Sequence, residues 1–115
     1  MELVATSVHG AGGDEITVLT CSGNLDIETS EDFKAEILPI LSAAGARVIV
    51  DLTGVPFIDS TGLGALITAH KRAQESESRC DLVVATPKVE RLLAITGLDV
   101  IIPIYATLES AIEAD

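Results

Sequence analysis

Asp59, Ser60 and Thr61 set a carboxylate beside two hydroxyls, directly ahead of Gly62-Leu63-Gly64. Three kinds of chemistry use such a group. A serine is a nucleophile when a base and an oxyanion site accompany it. Ile58-Asp59-Ser60-Thr61-Gly62 superficially resembles the Gly-x-Ser-x-Gly elbow of hydrolases, but Ile58 replaces the first glycine. Neither His9 nor His70 lies in a segment that suggests a base, so no catalytic residue is expected. A second use is capping: the side-chain oxygen of Asp59 or Ser60 can accept from the free N–H groups of a helix's first turn. A third is phosphate acceptance. Gly62 and Gly64 leave little bulk around Ser60, and a helix N-terminus tolerates an anion. Phosphate would add roughly −1.5 to −2 charges and three strong acceptors. A penalty of about 3 kcal/mol against a docked partner weakens binding roughly a hundredfold. The segment alone leaves capping and phosphate acceptance both open.

The elements that must position Ser60 follow from periodicity. Arg47-Val48-Ile49-Val50-Asp51-Leu52 is a near-continuous apolar run, expected of a strand inside a helix-covered sheet. Thr53-Gly54-Val55-Pro56 turns the chain toward Ser60. Leu63, Leu66, Ile67 and His70 recur at helical spacing, which predicts a helix from Ser60 to about Gln74 with that face buried. Upstream, residues 3–8 and 16–21 read as strands joined by the turn-rich residues 9–14. A helix follows Asp26, capped by Thr29 or Ser30, with Phe33, Ile37, Ile40, Leu41 and Ala44 on its apolar face. Pro39 predicts a kink or a new start near Leu38, and Gly45 a stop.

Downstream, residues 80–85 read as a strand. Thr86 and Pro87 open a helix with Val89, Leu92, Leu93 and Thr96 inward and Gly97 as its stop. Residues 100–102 read as a short last strand, and Thr107 starts a helix with Leu108, Ala111 and Ile112 turned inward. This alternation predicts an α/β fold: a mixed, mostly parallel central sheet of about five strands with about four helices. Ser60 then falls just past the carboxyl end of a central strand, where such folds keep their working residues.

Composition narrows the function classes. A chain of 115 residues with 48% apolar content suits one compact domain, residues 1–115. No apolar run approaches the roughly 18 residues that span a bilayer. The start Met1-Glu2-Leu3-Val4 lacks the basic opening of a signal peptide, so a cytoplasmic location without membrane insertion is expected. Net charge is −11, and seven acids precede the first base, Lys34. That surface repels phosphate backbones, so direct nucleic-acid binding is not expected, whereas a basic protein partner would be steered toward it. Cys21 and Cys80 read as small, half-buried strand residues without nearby ligand partners, so no metal site is expected. Standard nucleotide loops are missing, and no cofactor is expected.

Residues 48–64 (VIVDLTGVPFIDSTGLG) resemble the central signature of the STAS domain family, the anti-sigma factor antagonists. Two flanking segments add to the likeness. Gly23-Asn24-Leu25-Asp26 with Thr29 resembles the family's Gly-x-Leu-Asp-x-x-Thr segment. Pro87-Lys88-Val89-Glu90-Arg91-Leu92-Leu93, followed by Thr96-Gly97-Leu98, resembles its last conserved helix and turn.

The resemblance implies a freestanding bacterial anti-anti-sigma factor that is not an enzyme, with Ser60 as its phosphoacceptor. It implies a partner-binding surface at Asp26, Asp59, Ser60, Thr61, Gly62 and Leu63, with Asp26 and Asp59 framing Ser60. The implied partners are an anti-sigma factor of the histidine-kinase-like ATPase fold, acting as serine kinase with ATP and magnesium, and a serine phosphatase. The alternative that the resemblance carries is an accessory subunit of a membrane ABC (phospholipid-type) transport complex.

Overall fold

The computed structural model describes residues 1–114. Its sheet has five strands in the order β1-β2-β3-β4-β5: β1 (Glu2–His9), β2 (Glu15–Ser22), β3 (Arg47–Gly54), β4 (Arg79–Val83) and β5 (Ile104–Tyr105). The β1–β2 hairpin is antiparallel, and every later pairing is parallel. The helices are α1 (Ser30–Leu41), α2 (Ser60–Glu75), α3 (Pro87–Ile95), α4 (Leu98–Ile101) and α5 (Leu108–Glu113). Strand order that follows chain order, with right-handed crossovers, puts successive crossover helices on one face. Phe33 and Ile37 of α1, Leu66 and Ala69 of α2, and Val89 and Leu93 of α3 share one core with Leu19, Val48, Val50 and Leu82. On the opposite face, Ala111 of α5 packs with Ile16, Val18, Ile49 and Val83. Arg47 fastens α5 there, donating from Nη2 to the Ala111 and Ala114 carbonyls at 2.7 and 2.6 Å.

The α/β class and the mixed sheet are as the sequence predicts; several local details differ. The buried face of α2 is Gly62, Ala65, Leu66, Ala69 and Ala73, while Leu63, Ile67 and His70 are only half-buried. Small residues face inward because α2 packs closely on both the sheet and α1, and larger side chains border that contact. No new helix starts at Leu38. Instead α1 carries Pro39 in its last turn, where it forgoes the bond to the Ala35 carbonyl, and the helix ends two residues later at Leu41. Ala44 lies beyond the helix and is exposed, and Gly45 occupies the left-handed region (φ 78°) in the turn that follows.

β3 runs two residues further than expected, through Gly54, after an irregularity opposite Thr20 and Ser22. Thr96 is exposed, its hydroxyl donating back to the Leu92 carbonyl at 2.9 Å. Residues 98–101 form the additional short helix α4, and the last strand follows Pro103. Gly97 at φ 77° lets the chain turn and wind again, and β5 then pairs through Leu82 N–H to the Pro103 carbonyl at 2.9 Å. Cys21 and Cys80 are fully rather than half buried.

Candidate functional site

Two loops meet at the carboxyl end of the sheet. The loop after β2 carries Gly23 to Thr29, and the loop after β3 carries Val55 to Asp59. Gly23 N–H donates to the Gly54 carbonyl (3.1 Å), Leu25 N–H to Phe57 (3.0 Å), and Asp59 N–H to Leu25 (3.2 Å). Leu25 and Ile58 thereby form a small parallel bridge, and both side chains are buried. The backbone under Ser60 is held as firmly as a strand pair.

Asp59 joins the loops to α2. With extended backbone (φ −96°, ψ −176°) it is the N-cap: Oδ1 accepts from Gly62 N–H at 2.8 Å, and Oδ2 accepts from Ile27 N–H at 3.0 Å. One carboxylate thus satisfies a free donor of the first turn and anchors the neighbouring loop. Gly62 is not the bare position that the sequence suggests. It is buried, and an added Cβ would overlap the Leu25 carbonyl oxygen, whereas Gly64 has nothing within 4 Å.

Asp26 works within its own loop. Its Oδ1 accepts from the N–H groups of Glu28 (3.0 Å) and Thr29 (3.2 Å), and its carbonyl accepts from Ser30 N–H (2.8 Å). The Thr29 hydroxyl accepts from Asp26 N–H (3.0 Å) and donates to the Asn24 carbonyl (2.8 Å). Thr29 is the residue at the helix boundary, but Asp26 supplies the carboxylate that organises the entry to α1.

Ser60 itself is exposed on the first residue of α2, as is Thr61. Among the described residues, no hydrogen bond engages either hydroxyl. Leu63 is half-buried against the core. The structure therefore brings Asp59, Ser60, Thr61 and Gly62 together with the Asp26 loop, with both carboxylates committed to backbone N–H groups.

Apolar surface lies close by, and the sequence reading missed it. Ile27 is 72% exposed and Phe57 42% exposed. Phe57 also borders a cleft of about 290 Å³ against α3, lined by Pro56, Ile58, Val89, Leu92 and Ile95, with Lys88 and Arg91 at its rim. Lys88 Nζ sits 5.9 Å from the Phe57 ring centroid. Only the two-loop packing shows that Leu25 and Ile58 point in while Ile27 and Phe57 point out.

The thiols take no part in this site. Burial, then the nearby Asp51, pushes Cys21 up to about 12; burial, then Asp81, does the same for Cys80. Both stay protonated at neutral pH and are inert as nucleophiles. Among the described residues, no group of three or more His, Cys, Asp or Glu is placed to hold a metal, and no helix is long and apolar enough to cross a membrane.

A family model described as STAS domain matches residues 9–111. The chain belongs to the STAS domain family. It is 34% identical over 83 residues to the anti-sigma-B factor antagonist of Listeria monocytogenes, covering 72% of this chain and 73% of that protein. Among solved structures it is similar to an anti-sigma-factor antagonist (STAS) domain protein from Planctomyces limnophilus, at 25% identity and a TM-score of 0.78, covering 94% of each chain. It is also similar to an anti-sigma factor antagonist from Mycobacterium paratuberculosis, at 25% identity and a TM-score of 0.76, over 96% of this chain and 91% of that one. The STAS fold with its five-stranded mixed sheet is therefore established.

Proposed function

We propose that this STAS domain is a phosphorylation-controlled anti-sigma factor antagonist. Unphosphorylated, it binds an anti-sigma factor through Ser60, Thr61, the first turn of α2 and the Asp26 loop, and so frees a sigma factor. The anti-sigma factor is the serine kinase of the pair, of the histidine-kinase-like ATPase fold. It transfers the γ-phosphoryl of magnesium-bound ATP to Ser60 Oγ, whose proton passes to a base of the kinase, and a serine phosphatase reverses the step. The relatives' names support the partner class, and the family resemblance supports Ser60 as acceptor.

The observation that carries the reading is the division of labour at the α2 N-terminus. Asp59 caps the helix, so Ser60 is left exposed with its hydroxyl unengaged. A phosphate there breaks no hydrogen bond of the fold and sits in the favourable field of a helix N-terminus. Its charge falls on whatever is docked over Ile27 and Phe57. Burying a doubly charged group against an apolar partner surface costs more than the roughly 3 kcal/mol that weakens binding a hundredfold.

The test is affinity capture from native-host lysate with wild-type, Ser60→Ala and Ser60→Asp baits, followed by identification of the retained proteins. An ATPase-fold regulator held by wild type and Ser60→Ala but lost from Ser60→Asp is the expected result. A membrane-transport ATPase retained equally by all three baits would overturn the switch and make this an accessory subunit.

A further inference from the structure

The two edges of the sheet are built differently. β5 is two residues long and follows Pro103, which offers little to a pairing strand. β1 is eight residues, ELVATSVH, with six of them exposed. It pairs with β2 in unbroken register from Glu2↔Ser22 to His9↔Glu15, so no bulge twists it away. It contains no Pro and no Lys, and its ionisable groups stand only at its two ends. These are the features that proteins normally use to close an edge, and β1 has none of them.

The free donors can be assigned. Gly10 N–H donates to the Asp14 carbonyl in the same register as the β1–β2 ladder. In an antiparallel pair such bonds fall on alternate residues. Val8, Thr6, Val4 and Glu2 therefore turn their main-chain groups to β2. Leu3, Ala5, Ser7 and His9 present theirs outward.

We infer that β1 is the site where a second copy of this chain docks, strand to antiparallel strand, about a two-fold axis passing between the two Ala5 residues. This arrangement pairs Leu3 with the partner's Ser7, Ala5 with the partner's Ala5, and Ser7 with the partner's Leu3. It supplies about six main-chain hydrogen bonds, two from each such pair. On the other face it sets Val4, 47% exposed, against the partner's Thr6, a β-branched cross-strand pair, and does so twice.

Charge does not oppose it. Each copy carries −11, but β1 is nearly neutral. The two Glu2 side chains stand six positions apart along the strands, roughly 20 Å at about 3.4 Å per residue. That exceeds the screening length of about 10 Å at 0.1 M salt. The product is a ten-stranded sheet with α1 to α3 of both copies on one face. Because β1 meets β1 antiparallel, the two Ser60 poles point in opposite directions, and each keeps its surface free for a partner.

Sedimentation equilibrium on the purified 115-residue chain, from micromolar to millimolar, tests this. Wild type is expected to move from the mass of one chain to that of two. Ala5→Pro removes one outward N–H without touching the β2 ladder and should raise the dimer dissociation constant at least tenfold. Ala5→Lys, which keeps the backbone intact, sets two ammonium groups face to face across the axis and should do the same. Ala5→Cys should form an intermolecular disulfide under mild oxidation, since Cα atoms about 5.5 Å apart suit one. Far-ultraviolet circular dichroism confirms that each variant is folded, and Ala5→Lys decides if Ala5→Pro is not. A chain that stays monomeric throughout, or a dimer indifferent to Ala5→Lys, overturns the proposal.

Discussion

Gly62 and Gly64 lie two residues apart on α2, and the same substitution at each should have opposite effects. At Gly64 nothing stands within 4 Å of an added Cβ, so alanine contributes only its better helix propensity, about 0.8–1.0 kcal/mol. At Gly62 the new methyl overlaps the Leu25 carbonyl oxygen and lies 2.9 Å from the Leu25 carbonyl carbon and 3.0 Å from Ile58 Cγ2. These neighbours are not free to yield. The Leu25 carbonyl accepts from Asp59 N–H, Leu25 N–H is held by Phe57, and Ile58 is in the core.

Relief therefore requires the α2 N-terminus to lift away from the loop, stretching the Asp59–Ile27 and Asp59–Leu25 bonds. Overpacking costs about 1–3 kcal/mol, and each stretched bond about 1 kcal/mol more. Against the propensity gain of about 1 kcal/mol, Gly62→Ala loses about 2–4 kcal/mol net. Urea unfolding reads this directly: with m of about 2 kcal/mol/M, the midpoint should fall by about 1–2 M, while Gly64→Ala raises it. The thermal midpoint should drop by roughly 10 °C. If Gly62→Ala is as stable as Gly64→Ala, the close seating of α2 on the Leu25 loop is wrong.

Two further outcomes follow from the same contacts. Asp59→Asn has a single acceptor oxygen, so either Gly62 N–H or Ile27 N–H loses its partner; stability should fall by about 1–3 kcal/mol. Hydrogen exchange at those two amides should quicken, and wild-type protection at both would refute the bracing role. The thiols predict alkaline behaviour. Cys21 and Cys80 sit at about 12 in the folded chain against 9.0 when free, so below pH 9 they are protonated in both states and cost nothing. Above pH 9 the unfolded chain ionises first, and each thiol removes about 1.4 kcal/mol per pH unit until about pH 12. Urea midpoints between pH 8 and pH 10.5 should therefore fall less steeply for Cys80→Ala than for wild type; parallel slopes would show that the thiol is not shielded by burial.

How far the sequence reveals this molecule depends on the scale of the interaction. Strands and long helices are legible because their periodicity is repeated: the Arg47 run, the β1–β2 alternation and the pattern after Ser60 each average over many residues. The phase of α2 is hidden in the sequence because Leu63 and Ile67 are larger than Gly62 and Ala65, and size suggests burial. In fact the closest approach goes to the smallest residues. Residues 100–102 suggest a strand because three consecutive apolar positions carry no helical period, and the left-handed Gly97 that restarts a helix is a single residue. At the site, the motif marked Asp59 and Ser60 but left the cap unassigned between them. Which oxygen accepts from Gly62 N–H depends on the Leu25–Ile58 bridge, made by loops 33 residues apart in sequence.

That assignment changes how the site operates. Were Ser60 the cap, phosphorylating it would remove the acceptor of the first turn, and the signal would be coupled to a loss of about 1 kcal/mol of helix stability. With Asp59 as cap, the helix N-terminus and the Leu25 loop are fixed whether or not Ser60 is modified. Ile27 and Phe57 are fixed with them, through the Asp59–Ile27 bond and the Phe57–Leu25 bond. Under the proposed function, the surface presented to a partner is then the same apolar frame in both states, and only the charge at its centre changes. A switch of the proposed kind needs no conformational transition in this domain itself. Its on–off ratio is set by the cost of placing a phosphate beneath a docked surface, and by the firmness with which Asp59 and Gly62 keep that phosphate from retreating.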